Sequence, residues 1–408
     1  MGGGEMKARR ALVAASPALT LWAFHRFSRS RLAPAIRIEE GVRSRHPQDL
    51  NRGLPDRADG AHRYPGRCYF EWWYFDAGFD DGHSCVAGIL DPDIYRPARD
   101  RSQVFLHIRT PEGKAYHNFF DFPRRSLRAS REGCSLELSG NTIRGSYPRW
   151  ELELEHGSFA AHLTFTSRLP GWALGSGELL FGSLEHPRVF GWAVPQPLAE
   201  VSGWLAYPGA RAEVTGTGYH DHNWGNLFMP LYLSHWQWGR ILHPEVTVVF
   251  AEIFTRKSCG FTRIPLLLLA RGGRLELESC RAQWRYGGWR RDRDGVQAYP
   301  ERAQCRLEER GVRGEMEFQA IREIEANDLL GHAGLPRMLR TAVGKALARP
   351  CYYRLLSLYR VSLDLRGERL EVEGECVREY MILGLREGSS PDEGRWRHFL
   401  PVVSPPPA

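Results

Sequence analysis

Between Gly216 and Asn226 the chain reads GTGYHDHNWGN. His220 to Trp224 place two imidazoles, a carboxyl, an amide and an indole in consecutive positions. Side chains alternate along an extended strand. Tyr219, Asp221 and Asn223 then point one way, and His220, His222 and Trp224 point the other. The first set can make Asp221 a tuned acid, because burial pushes a carboxyl toward its neutral form while neighbouring donors limit the rise. The second set is an H-x-H pair, which could hold zinc if His235 or His243 supplied a further ligand. Nothing in the spacing fixes the remaining ligands, so no bound metal is expected. A hydrogen-bonded structural corner is a third reading of the same residues. Gly216, Gly218 and Gly225 bracket the cluster and let the strand bend or another backbone come close.

An earlier stretch, FEWWYFDAG, repeats the theme. As a strand it puts Tyr69, Glu71, Trp73 and Phe75 on one face and Phe70, Trp72, Tyr74 and Asp76 on the other. A carboxylate on an aromatic face must be paired, or it becomes neutral. Glu71 is therefore either an anchor for a neighbouring strand or an acid in a pocket. LYLSHWQWGR follows the first cluster, with Ser234, Trp236, Trp238 and Arg240 on one face and His235 and Gln237 opposite. Indole faces are large, apolar and electron-rich, so they suit a polyene or a developing carbocation. A core aromatic ladder accounts for them equally well.

The elements that must position these residues read as β. QVFLHIRT, SLELSG, NTIRGSY, RWELELEH and FAAHLTFTSR follow at short, regular spacing, bounded mostly by Gly, Pro, Asp or Ser. A second series begins near Val214 and includes SHWQWGRI, EVTVVFAEIF and, last, RLEVEGECV. This rhythm predicts antiparallel barrels or sandwiches. The convincing helical stretch lies within 338–358, and Pro350 breaks it. Four divisions are expected: a leader over 1–54, disordered or weakly signal-like; a β domain over 55–208; a second over 209–388; and a disordered Pro- and Ser-rich tail over 389–408. Pro208 and Gly209 mark the boundary. The apolar run from Ala11 to Phe24 is too short to span a bilayer comfortably, and Pro17 interrupts it, so peripheral membrane contact is what it could support.

Composition narrows the function. The chain has 408 residues, 42% of them hydrophobic and 25% charged, with a net charge of +7. Its arginines are scattered and no nucleic-acid-binding signature occurs, so nucleic acid is not an expected partner. None of the eight cysteines forms a C-x-x-C pair, which points to mostly reduced, half-buried strand cysteines in a cytoplasmic protein. There is no P-loop, no dinucleotide fingerprint and no G-x-S-x-G elbow, and hydride transfer, ATP use and serine hydrolysis all drop out.

EWWYFDA, then FGWAVPQP from Phe190 to Pro197, then GTGYHDHNWGN and HWQWGR occur in an order that resembles the hydroxyneurosporene synthase family, the carotenoid 1,2-hydratase-like proteins. Fungal decalin-forming Diels–Alderases look like relatives. The resemblance runs from about Tyr64 to Leu383. It implies two lipocalin-like β-barrel domains, no obligatory cofactor, and a hydrophobic pocket within or between them. It also implies catalytic roles for Tyr219 and Asp221, which match the tyrosine and aspartate of G-Y-x-D-x-N. The chain departs from the hydratase members after Gly225, where Asn226 to Pro230 stand in place of acidic residues. That leans the resemblance toward the cyclase branch.

The expected function is a cofactor-independent cyclase, isomerase or hydratase acting on a hydrophobic polyene, isoprenoid or polyketide. Asp221, Tyr219, His220 and Glu71 are the expected catalytic residues. Trp73, Trp192, Trp224, Trp236 and Trp238 are expected to line the pocket. The alternatives are a carotenoid 1,2-hydratase proper and a lipocalin-like lipid carrier without chemistry.

Overall fold

The computed structural model describes residues 36–38, 47–66, 68–93, 100–182, 186–292, 297–329, 350–383 and 397–398. Short alternating segments joined by tight turns pair with their chain neighbours, and the result is almost wholly β. The first sheet has 13 strands and the second 10. In the first, Arg101–Arg109, Ser84–Asp91, Phe70–Phe79, Ala210–Gly225, Arg188–Tyr207 and Phe159–Ser167 lie side by side, each antiparallel to the next. This sheet curls into a nearly closed barrel. In the second, Thr262–Arg271, Thr247–Thr255, Leu233–Leu242, Glu368–Ile382, Cys351–Leu365 and Val312–Asp328 do the same. The architecture is lipocalin-like, as expected.

Three large apolar clusters follow from the alternation. Trp73, Phe75, Leu106 and Phe165 belong to one inside the first sheet. Ile241, Phe250, Trp284 and Val361 belong to one inside the second. The third joins the sheets: Phe70, Trp192 and Tyr219 come from the first and Trp238, Val249 and Ile253 from the second, with Trp72, Tyr74 and Trp236 packed against them. Full burial of one such large side chain favours folding by roughly 1.5–3 kcal/mol, so the joint is a substantial apolar contact.

Several boundaries differ from those read in the sequence. Pro208 and Gly209 do form a turn, but it is a hairpin turn inside the first sheet, with Tyr207 opposite Ala210. Gly209 takes φ 86° there. A two-residue hairpin turn and a linker share the same Pro-Gly signature. The chain changes sheet between Gly225 and Leu233, through the one-turn helix Met229–Tyr232. The expected leader is structured at its end: Leu50 is buried, and the Asn51 amide exchanges two 2.9 Å hydrogen bonds with the Leu275 backbone. Ile36–Ile38 also pairs with Phe181–Leu179.

The helix expected over 338–358 is overturned in its second half, since Cys351–Leu365 is a strand whose buried positions alternate. Its first half lies outside the described residues, as do the Ala11–Phe24 run and most of the 389–408 tail. Arg397–His398 of that tail pairs with Thr262–Arg263. None of the eight cysteines is in a disulfide, and seven are buried. No helix among the described residues is long and apolar enough to cross a membrane.

Candidate active site

The Ala210–Gly225 strand lies between Phe70–Phe79 and Arg188–Tyr207, so it is central and its two faces see different surroundings. Asp221 sits opposite Tyr74, His222 opposite Trp73, and Trp224 opposite Glu71. The alternation read from sequence therefore holds, and it splits the expected residues into two groups on opposite sides of the sheet. The glycines permit this crowding: a Cβ on Gly225 would lie 2.4 Å from the Val189 carbonyl oxygen.

On the side facing the second sheet, Asp221 is 6% exposed. Its Oδ2 accepts hydrogen bonds from Trp192 Nε1 (3.0 Å) and the Tyr219 hydroxyl (2.9 Å), and its Oδ1 accepts one from Asn223 Nδ2 (3.0 Å). Burial raises the carboxyl from 3.8 to about 7, against the opposing pull of the bonds from Trp192 and Tyr219. The group is thus poised to exchange a proton near neutrality. Aromatic rings close around it. Tyr219 and Trp238 lie 5.2 Å apart, and Trp192 meets Trp172 edge-on at 5.5 Å. Trp236 packs against Phe190 at 6.2 Å.

A buried ionic network borders this cluster and ties the sheets together. Asp76 accepts from Arg240 (2.5 Å) and Arg354 (3.0 Å), both from the second sheet. Arg354 also donates to the Tyr74 hydroxyl at 2.6 Å and to Glu379, which in turn accepts from Tyr352 at 2.6 Å. Removing one partner from such a buried set would leave an uncompensated charge, at a cost of about 3–5 kcal/mol. The guanidinium of Arg240 lies 5.9 Å from the Tyr219 ring centre.

The opposite face builds a different structure, inside the first barrel. Glu71 is fully buried. It accepts from the Tyr69 hydroxyl, the His62 backbone N–H (2.8 Å) and His222 Nε2 (2.9 Å). Burial alone would raise its carboxyl, but the bonds from His222, His62 and Tyr69 outweigh burial and hold it at about 2. His220 Nε2 lies 2.9 Å from Asp59 Oδ2, which also accepts from Trp150 Nε1 at 2.8 Å. Burial would raise Asp59 as well, but attraction to His220 keeps it below its ordinary value.

Each histidine turns one ring nitrogen to a backbone carbonyl and the other to a carboxyl. A proton must therefore sit between each histidine and its carboxyl, since a bare lone pair facing a carboxylate would repel it. Three aromatic rings clamp the imidazoles: Phe75 on His220 at 3.8 Å, Trp73 on His222 at 4.4 Å, and Trp224 on His62 at 3.7 Å.

Of the residues expected at one site, Asp221, Tyr219, Trp192, Trp236 and Trp238 gather at the joint between the sheets. Glu71, His220, Trp73 and Trp224 do not. A strand's two faces cannot serve one pocket, and these four are held by the network around Asp59 and Glu71. Trp224 Nε1 donates to Glu178 at 2.9 Å and Trp73 Nε1 to the Asp59 carbonyl at 3.0 Å. Asp59 and Glu71 supply carboxylate partners for His220 and His222. His235 is elsewhere, stacked on Phe254 at 4.1 Å. A separate cavity of about 360 Å³ is walled by Leu54, Tyr147, Trp150, Pro170 and Pro195, with Gly273 and Arg274 of the second sheet beside them; Asp59 lines it and Asp221 does not.

Fold and site together define a lipocalin-like, two-sheet β protein with a near-neutral carboxyl buried among indoles where the sheets meet. Solved structures share this fold. CghA, in a complex with Sch210972, superposes with a TM-score of 0.55 at 11% identity, covering 82% of this chain and 97% of that one. Kievitone hydratase from Nectria haematococca superposes at 0.51 with 13% identity, covering 85% and 96%. A protein of Chlorobaculum tepidum named hydroxyneurosporene dehydrogenase is 24% identical over 242 residues. That match takes in 51% of this chain and 63% of the relative, less than two thirds of its length. No family model matches the chain. The relative and the shared fold bear out the resemblance to the hydroxyneurosporene synthase family that the motifs carry.

Proposed function

We propose that the protein is an enzyme that protonates or folds a hydrophobic polyene or isoprenoid at the joint between its two sheets, using Asp221 as the acid. The observation that carries this reading is the Asp221 carboxyl, buried and lifted to about 7 while Tyr219, Asn223 and Trp192 hold it in place. A carboxyl with its ordinary value would be ionised at neutral pH and could not donate.

The chemistry follows from that group. The Asp221 proton passes to one carbon of a C=C bond, a C–H bond forms, and the cation develops at the neighbouring carbon. The faces of Trp192, Trp236 and Trp238 stabilise it. Either a water oxygen then bonds to the cation and gives up a proton, which is hydration, or a second double bond of the same chain attacks it, which is cyclisation. Loss of the final proton returns Asp221 to its acid form. A pericyclic closure would need less: a pocket that folds the polyene and the Tyr219 hydroxyl to polarise one end. The names of the similar proteins fit this range, since one is a hydratase and one was solved with Sch210972.

The test is single-turnover product formation on a panel of acyclic isoprenoids and polyketide polyenes by wild type and Asp221→Asn, with binding followed separately by tryptophan quenching. The variant should bind as before and turn over about 10²–10⁴-fold more slowly. Equal turnover would remove the acid, and binding without any turnover in wild type would favour a carrier.

A further inference from the structure

Three groups of side chains among the described residues could hold a metal ion. Two of them, Asp59–Cys134–His220 and His62–Glu71–His222, belong to the hydrogen-bonded networks inside the first barrel. The third stands apart. His107 and His117 face each other across the antiparallel pair Arg101–Arg109 and Ala115–Pro123. Their Nδ1 atoms are 3.4 Å apart. Glu325, from the Val312–Asp328 strand of the second sheet, brings Oε1 to 3.5 Å from His117 Nδ1. One donor atom from each residue lies within 4.8 Å of the other two.

The His107–His117 spacing of 3.4 Å and the His117–Glu325 spacing of 3.5 Å are close to those of a ligand set. Around a tetrahedral zinc with bonds of about 2.0–2.1 Å, neighbouring ligand atoms stand about 3.3–3.4 Å apart. A divalent cation at the centre could accept a lone pair from each Nδ1 and from Glu325 Oε1. Access and support are both present. His117 is 42% exposed while the Glu325 side chain is 10% exposed, so an ion can enter past one ligand and be held by the others. The Asn327 amide donates to Glu325 Oε1 and orients it, as outer-shell groups do at metal sites. Two imidazoles and one carboxylate suit zinc, whereas magnesium and calcium favour all-oxygen sets.

We propose that His107, His117 and Glu325 form a zinc site with a fourth position open to solvent, and that the ion ties the first sheet to the second. The expectation of no metal rests on His220 and His222, and this trio lies elsewhere. The proposal is also independent of the role given to Asp221.

The test is equilibrium dialysis of the full chain against zinc at micromolar free concentration, with wild type, His117→Ala and Glu325→Gln. Cobalt substitution and thermal unfolding serve as second readouts. Wild type should take up one zinc per chain, show the intense visible bands of four-coordinate cobalt, and gain thermal stability with zinc. His117→Ala should bind at least about 100-fold more weakly and lose the cobalt bands, and Glu325→Gln should weaken binding by at least about 10-fold, the lower end of the loss seen even for outer-shell changes. If His117→Ala lowers the stability of the metal-free protein, Glu325→Gln decides alone. Wild type that takes up no zinc, or variants that bind it as wild type does, would overturn the site.

Discussion

Asp221→Asn should change how stability depends on pH, in a direction that follows from burial. In the folded protein the Asp221 carboxyl is raised from 3.8 to about 7. Between those values the native state holds a proton that the unfolded chain has released. Native stability must then fall as pH rises through that window, and above it the full cost is in place. A rise of this size corresponds to about 4 kcal/mol. Asparagine does not titrate, so the variant escapes that cost. It carries a separate, pH-independent penalty, because its amide sets one donor against Trp192, Tyr219 or Asn223. The useful quantity is therefore the slope and not the offset. Urea unfolding of both proteins between about pH 4 and about pH 8 should show the stability difference moving in favour of asparagine by up to about 4 kcal/mol. Other groups titrate in this range, but they are common to both proteins and cancel. A difference that stays flat would mean that Asp221 ionises at its ordinary value in the folded state, and it could not then be the acid at neutral pH.

Two further outcomes separate the faces of the central strand. Trp192→Phe removes a bond that holds the Asp221 carboxyl down, so the alkaline limb of the kcat/KM profile should move to higher pH; an unmoved limb would mean the indole does not tune the acid. Glu71→Gln should lower stability by about 3–5 kcal/mol in denaturant unfolding, while the folded variant keeps its turnover. Because the Glu71 carboxyl is depressed from 4.5 to about 2, the stability it contributes in wild type is present above its unfolded value and is lost as pH falls from about 4.5 to about 2. Loss of turnover with full stability would place Glu71 in the chemistry after all.

The fold class was legible because short strands announce themselves through alternation and turns, and the strands named from the sequence are strands. Where reading failed, two structures share one local signature. Pro208-Gly209 looks the same as a hairpin turn or as a linker, and only pairing between Tyr207 and Ala210 decides. CYYRLLSL has aromatic and leucine residues that fit either period over a few positions, and its partner strands make it β. The placement of Asn51 against Leu275 is a contact over 224 residues, which no local pattern can carry.

The candidate site shows the same limit in sharper form. Alternation correctly sorted Tyr219, Asp221 and Asn223 from His220, His222 and Trp224, and Glu71 from Tyr74 and Asp76. What it could not supply was which face each set meets. Treating Glu71 and Asp221 as two acids of one pocket ignored that antiparallel pairing sets Glu71 opposite Trp224 and Asp221 opposite Tyr74. Asp59 and His62 carried no signal, since DRADGAH reads as an ordinary polar loop. The cross-sheet pair did carry one. Asp76 ends an otherwise aromatic face, Trp72 and Tyr74 included, and Arg240 ends the indole face of Trp236 and Trp238. A lone charge at the edge of an apolar face needs an opposite charge to be buried. Two such faces of opposite sign in one chain are a reason to dock them, and docking them places Asp221 between the sheets, away from water, where its carboxyl can stay protonated.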